Sequence, residues 1–191
     1  MISRKQKLEE FESNLSDQFT EEQYPIHEAA YSSKLFEVGI GSVLLSRTIN
    51  TQTIAISIFL LDVYCLGVKN AFFKVESKTA YNETKQQLFR NDPIKGMSPS
   101  CARKLVEEGV SYAEKIGFSP HKDFKKAKRI FGNIDPKSCK SNFTYGKYGK
   151  PFFVSGPNET PQQCKEIVEM LERNCGSGNY EYIIQVEAPP M

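Results

Sequence analysis

The chain has no tryptophan, only two histidines, and no pair of cysteines spaced as C-x-x-C. The missing C-x-x-C spacing excludes a thiolate zinc ribbon and a thioredoxin-type redox centre. Any imidazole chemistry must come from His27 or His121. There is no G-x-x-x-x-G-K-[ST] phosphate loop, no G-x-S-x-G nucleophile elbow and no H-E-x-x-H zinc helix, so three large enzyme classes lack their defining strings. No apolar run reaches the roughly 20 residues needed to span a bilayer. The longest, Ile54 to Val68, is interrupted by Ser57 and Asp62 and reads as a long strand. Met1 to Glu10 contains neither a hydrophobic core nor a cleavage site, so no signal peptide is expected, the expected location is the cytoplasm, and no membrane partner is expected. The cysteines, Cys65, Cys101, Cys139, Cys164 and Cys175, are odd in number and scattered. In that compartment they are expected to be reduced thiols.

What is present suits one globular unit. The chain has 191 residues, 39% of them apolar and 25% charged, enough to bury a real core. Residues 3 to 19 read as a helix, with Leu8, Phe11, Leu15 and Phe19 on one face. This gives an N-terminal helix and linker over 1–22 and a single domain over 23–188. Val38 to Thr48 and the run from Thr53 read as two strands of an antiparallel hairpin. The second is apolar on both faces and belongs in the middle of a sheet covered by helices. Helices are expected over Lys78–Arg90, Pro99–Ile116 and Asp123–Phe131, the second capped by Ser98 and ended by Gly117. Phe152–Ser155, a helix opening at Thr160-Pro161-Gln162-Gln163, and Tyr180–Val186 suggest a βαβ-like unit. The fold class is α+β: a central mixed sheet of about four or five strands, made of the hairpin plus the βαβ-like C-terminal unit and covered by helices.

Asp62 sits in the C-terminal part of the apolar strand. A carboxylate among apolar neighbours must be hydrogen-bonded, paired, metal-bound or protonated. Its structural partners could be backbone N–H groups, Lys69 or Arg47. Its chemical companions could be two histidine–acid pairs, His27-Glu28 and His121-Lys122-Asp123. His27, Asp62, His121 and Asp123 offer ligands for a divalent metal such as Mg²⁺, Mn²⁺ or Zn²⁺. With Asp62, Glu28 and His121 as catalytic groups, the site would be a metal-dependent hydrolase or nuclease. Cys65, after the same strand, is a third and weaker possibility as a nucleophile, against its reading as a small buried hydrophobe.

Charge supplies a different signal. Between Lys115 and Lys150 ten lysines and arginines face only Asp123 and Asp135, about +8, which leaves the rest of the chain at about −6 for a net charge of +2. Lys122, Lys125, Lys126, Lys128, Arg129, Lys147 and Lys150 interleave with phenylalanines and tyrosines. Lysines grip phosphates, and exposed rings stack on bases. The pattern points to nucleic acid or another polyanion as partner. A solvated helix face is the alternative. A protein partner could instead dock on the charged N-terminal helix.

Several strings together resemble a family of bacterial proteins of unknown function. They are His27-Glu28, Gly41 to Arg47, Phe59 to Lys69, Tyr112 to Phe124 and Gly149 to Pro157. The resemblance covers about Pro25 to Gly176. It implies a self-contained domain and brings no activity and no catalytic residue.

Overall fold

The structure is a computed structural model, and it describes residues 19, 20, 22–90 and 92–184. The expected N-terminal helix, apart from Phe19, lies outside them, as does the end of the last expected strand. Within them the fold is α+β. Five strands form one antiparallel sheet in the order β4-β3-β2-β1-β5. They are β1 (Ile26–Ser32), β2 (Ile40–Asn50), β3 (Thr53–Asp62), β4 (Gly67–Ser77) and β5 (Ile94–Gly96). One short helix, α1 (Leu35–Val38), precedes β2. The expected hairpin is β2–β3, in register with Leu44 opposite Ile58.

Alternation along β3 explains why it is apolar throughout. Ala55, Phe59 and Leu61 point into the larger core with Val43 and Leu45. Ile54, Ile56 and Ile58 point to the other face, where they meet Leu44 and Tyr81. The first face is covered by α3 (Pro99–Lys115), α4 (Phe124–Ala127) and a 3-10 turn (Lys128–Phe131). The second is covered by α2 (Lys78–Leu88), which brings in Tyr81, Leu88 and Phe89. Ser77 and Ser98 cap α2 and α3 by accepting from the Ala80 and Cys101 N–H groups. The expected Asp123–Phe131 helix divides into α4 and the 3-10 turn because other groups capture its carbonyls. Ser57 Oγ donates to Ala127 O at 2.8 Å, and Arg47 Nε to Ile130 O at 2.7 Å.

The C-terminal unit departs from the expected single mixed sheet. β6 (Phe152–Val154), α5 (Pro161–Cys175) and β7 (Glu181–Ile183) form a βαβ unit whose two strands pair parallel in their own sheet. The physical reason is local anchoring. Phe152 N–H donates to Tyr64 O, in the β3–β4 turn rather than in a strand of the main sheet. Phe153 is buried with Cys65, Cys164 and Leu171 in a separate small core. No helix among the described residues is long and apolar enough to cross a membrane.

The cysteines differ from expectation. Cys101, at the start of α3, is joined to Cys139 by a disulfide spanning 38 residues. Cys65, Cys164 and Cys175 are free thiols. Two cysteines far apart in sequence meet because the loop after the 3-10 turn folds back on α3, a contact that no spacing rule reveals. Such a bond belongs to oxidising surroundings and runs against the expectation of reduced thiols.

Candidate functional site

Asp62 is buried, with 6% of its surface exposed. Its Oδ1 accepts from the Tyr64 and Cys65 N–H groups, both at 2.9 Å. The carboxylate closes the reversal between β3 and β4 in the manner of an Asx turn. Burial pushes its pKa up to about 6; the N–H groups of Cys65, Leu66 and Tyr64 and the charge of Lys69 oppose that rise without cancelling it. The structural partner of Asp62 is therefore the backbone of its own turn.

That turn is a junction. Val63 N–H donates to Gly39 O, Val63 O accepts from Gly146 N–H, and Tyr64 O accepts from Phe152 N–H. The Tyr64 ring packs against Gly39, where a Cβ would come within 2.0 Å of it, and its hydroxyl donates to Phe36 O and Glu37 O at 2.9 Å. Gly39 has φ +87°, a conformation glycine adopts without penalty.

The histidine–acid pairs do not converge on Asp62. Glu28 stands opposite Ser46, which stands opposite Ile56. Asp62 is six residues farther along β3, about 20 Å away at the rise of a strand. Glu28 instead binds Lys85 Nζ at 2.6 Å and accepts from the Tyr81 hydroxyl at 2.5 Å. Partial burial opposes its ionisation, but the bonds from Lys85 and Tyr81 outweigh it and hold the carboxyl below its usual value. His27 is exposed and packs edge-on against Tyr81 at 5.1 Å. His121 lies nearer Asp62, since its N–H donates to Val68 O and Val68 stands opposite Leu61. Its Nδ1 accepts from the Asp123 N–H at 3.3 Å and lies 3.7 Å from the Asp123 carboxylate. The proposed ligand set of His27, Asp62, His121 and Asp123 is thus dispersed, as is the catalytic set of Asp62, Glu28 and His121. Among the described residues no three His, Cys, Asp or Glu side chains could share a metal ion. The Cys65 thiol, wholly buried, is pushed far above its normal range by desolvation, which removes it as a nucleophile.

Arg47, weighed as a partner for Asp62, does something else. It is fully buried, and its guanidinium donates to the carbonyls of Tyr24, Ile130 and Phe131 at 2.7–3.0 Å. Together with Ser57 it locks the lysine-bearing segment onto the sheet. On that segment Lys122, Lys125, Lys126 and Lys128 are exposed and Arg129 is half-buried. Lys126 lies 5.7 Å from the Phe73 ring and Lys128 5.5 Å from the Phe124 ring. Among the described residues Lys122, Lys125 and Lys128 form no ion pair.

Lys147 and Lys150 belong to a different element. They exchange backbone hydrogen bonds at 2.8 and 3.1 Å across a two-residue turn, Tyr148-Gly149, with φ +53° and +80°. This is the geometry of a type I′ hairpin. Lys147 Nζ stands 4.6 Å from the Phe152 ring and 5.6 Å from Tyr64. Lys150 Nζ donates to Gly178 O at 2.7 Å. Tyr145 turns inward and donates to Leu105 O, whereas Tyr148 is 91% exposed.

One cleft of about 440 Å³ opens beside the junction, between the start of β4, the loop after α3 and one face of α5; Leu66, Lys69, Phe118, His121 and Glu159 line it. Lys69 and Glu159 pair across it at 2.6 Å. Burial disfavours the Glu159 carboxylate, but Lys69 and the Gly156 N–H overcome that and hold its pKa below normal. Sequence reasoning missed this pair, because 90 positions separate its members. Its charges neutralise each other, so neither is left to select a ligand.

Family models, curated proteins and solved structures, all compared with the chain, give no match.

Proposed function

We propose that the protein binds polyanions, with nucleic acid as the natural class, through the lysines on and around α4. The observation that carries this reading is the state of Lys122, Lys125 and Lys128. They are exposed on a segment held to the sheet through Ser57 and Arg47, and no carboxylate neutralises them among the described residues. Such ammonium groups attract phosphates without first breaking an ion pair, and counterion release from the polymer supplies the driving force. Lys126, Arg129, Lys147 and Lys150 extend the basic character of the chain around them. The metal-dependent hydrolase reading has no assembled ligand set to support it, and the reading as a protein-interaction module rests on residues outside those described.

The test is fluorescence anisotropy with labelled DNA, RNA and heparin over a salt series. Binding at low salt should weaken as salt rises. Replacing Lys122, Lys125 and Lys128 by alanine should flatten the dependence of log K on log salt by about 2 to 3, because each phosphate contact contributes about 0.7 to 0.9. Failure of all three polymers to bind at low salt defeats the reading.

A further inference from the structure

Tyr148 combines three properties that packing does not account for. First, its ring is in water, 91% exposed, and takes part in no hydrogen bond or ring–ring contact among the described residues. Second, its backbone sits at φ +53°, the left-handed region that a bulky residue adopts only at a cost and that glycine or asparagine would occupy more easily. No other described residue except glycine has a positive φ. Third, its mount is rigid. Both ends of the hairpin are tied to the β3–β4 junction, through Gly146 N–H to Val63 O and Phe152 N–H to Tyr64 O. The junction in turn is held by the buried Asp62 carboxylate. Beside the ring, Lys147 Nζ lies 5.7 Å from its centroid, and Lys150 stands across the turn.

A strained residue whose side chain buries nothing gains nothing inside the molecule. A flat, exposed ring with one ammonium group beside it and a second lysine across the turn matches what an unpaired nucleobase and its adjoining phosphates require. Bases stack on tyrosine irrespective of identity, and lysines hold the backbone. Each lysine head has an internal partner, the rings of Phe152 and Tyr64 for Lys147 and the Gly178 carbonyl for Lys150. Neither partner consumes all three N–H donors of an ammonium, so both can also bind phosphate.

We infer that Tyr148 is a base-stacking platform and that the polyanion this protein takes is single-stranded nucleic acid. The inference rests on the polyanion reading and narrows it: a duplex, whose bases are already stacked, and heparin, which has none, cannot use the ring.

The experiment measures anisotropy with a labelled single-stranded DNA, the same sequence as RNA, the DNA duplex and heparin, on the wild type and on Tyr148→Ala, Tyr148→Phe and Tyr148→Trp. The wild type is expected to prefer the single strands, and the DNA and RNA arms show which sugar it favours. Tyr148→Ala should weaken single-strand binding about tenfold, within the range for loss of one base–aromatic stack, and leave heparin binding unchanged. Tyr148→Phe should bind as the wild type does. Because the chain has no tryptophan, Tyr148→Trp carries a single indole, whose emission should be quenched by single strands and not by heparin. If single strands bind but Tyr148→Ala changes their affinity by less than about twofold, the platform is refuted while the polyanion reading survives. If no polymer binds the wild type at low salt, both fall together. Circular dichroism of each variant checks that the fold persists.

Discussion

Two turns sit side by side at one end of the sheet and handle their unusual residues in opposite ways. In the Asp62 turn a charged group is carried inside and held locally, by N–H groups two to four residues ahead that offset part of its burial cost. In the Tyr148 turn an aromatic ring is held outside on a strained backbone, and little in the molecule uses it. The first arrangement is turned inward, because the carboxylate accepts from the backbone of its own turn and no three metal-ligating side chains gather there among the described residues. The second is open, and an open feature on a rigid mount is where external contact is to be sought. Asp62 attracted attention from the sequence because a buried charge is costly. The structure shows that the turn offsets part of that cost, and that the same turn supports the exposed residue beside it.

The contrast can be broken at its base first. The segment leading into the Tyr148 hairpin is stapled to α3 by the Cys101–Cys139 bond. Closing a loop of 38 residues should contribute about 4 kcal/mol in the chain-entropy picture. Reduction should lower the unfolding free energy by up to that amount in urea titrations. Thiol labelling of the denatured, unreduced protein should then modify three cysteines and not five.

Next in size is the pH response of Asp62. Its native pKa of about 6 lies above the unfolded value near 3.8, so between those limits the native state binds more protons than the unfolded one. Stability from this group is therefore greatest below about pH 4 and falls as pH rises through 6, by about 3 kcal/mol in all. Asp62→Asn keeps the Oδ1 acceptor and removes the charge. The difference in stability between wild type and Asp62→Asn should therefore shift in favour of the variant by about that amount between pH 4 and pH 7.5. A flat difference would show that the N–H groups of the turn cancel the burial cost in full, and would sharpen the contrast with Tyr148.

The smallest expected effect is the most pointed. Tyr148→Gly relieves the left-handed backbone and loses no packing, so it should raise stability by up to about 1 kcal/mol in thermal or urea unfolding. It should also weaken single-strand binding as Tyr148→Ala does. A loss of stability would mean that the ring packs after all.

Elements with strong local signals were legible from the sequence. The β2–β3 hairpin, the caps at Ser98 and Thr160 and the βαβ connection all announce themselves through periodicity and turn chemistry within a few residues. β1 and β5 were not. Ala29 and Ala30 have little strand propensity, and β5 is three residues long, so their pairing is imposed by neighbours. β4 was hidden because glycine is a poor strand former, yet Gly67 opens this strand at φ +64°, packed against Gly109 and Ala113 of α3. At the candidate site, the exposure of the lysines followed from helical spacing, but the role of Arg47 did not, since its acceptors Ile130 and Phe131 lie 83 and 84 residues away.

The sequence by itself determined the α+β class, the central strand and the basic character of one segment, because hydrophobic period, capping and charge are properties of neighbours along the chain. Only the tertiary structure decided that the histidines and carboxylates stand apart, that Cys101 meets Cys139, and that of two tyrosines in one short segment Tyr145 turns in while Tyr148 turns out. Those outcomes depend on which distant backbone groups come within about 3 Å of a side chain, and that distance is set by how layers pack, not by the order of residues.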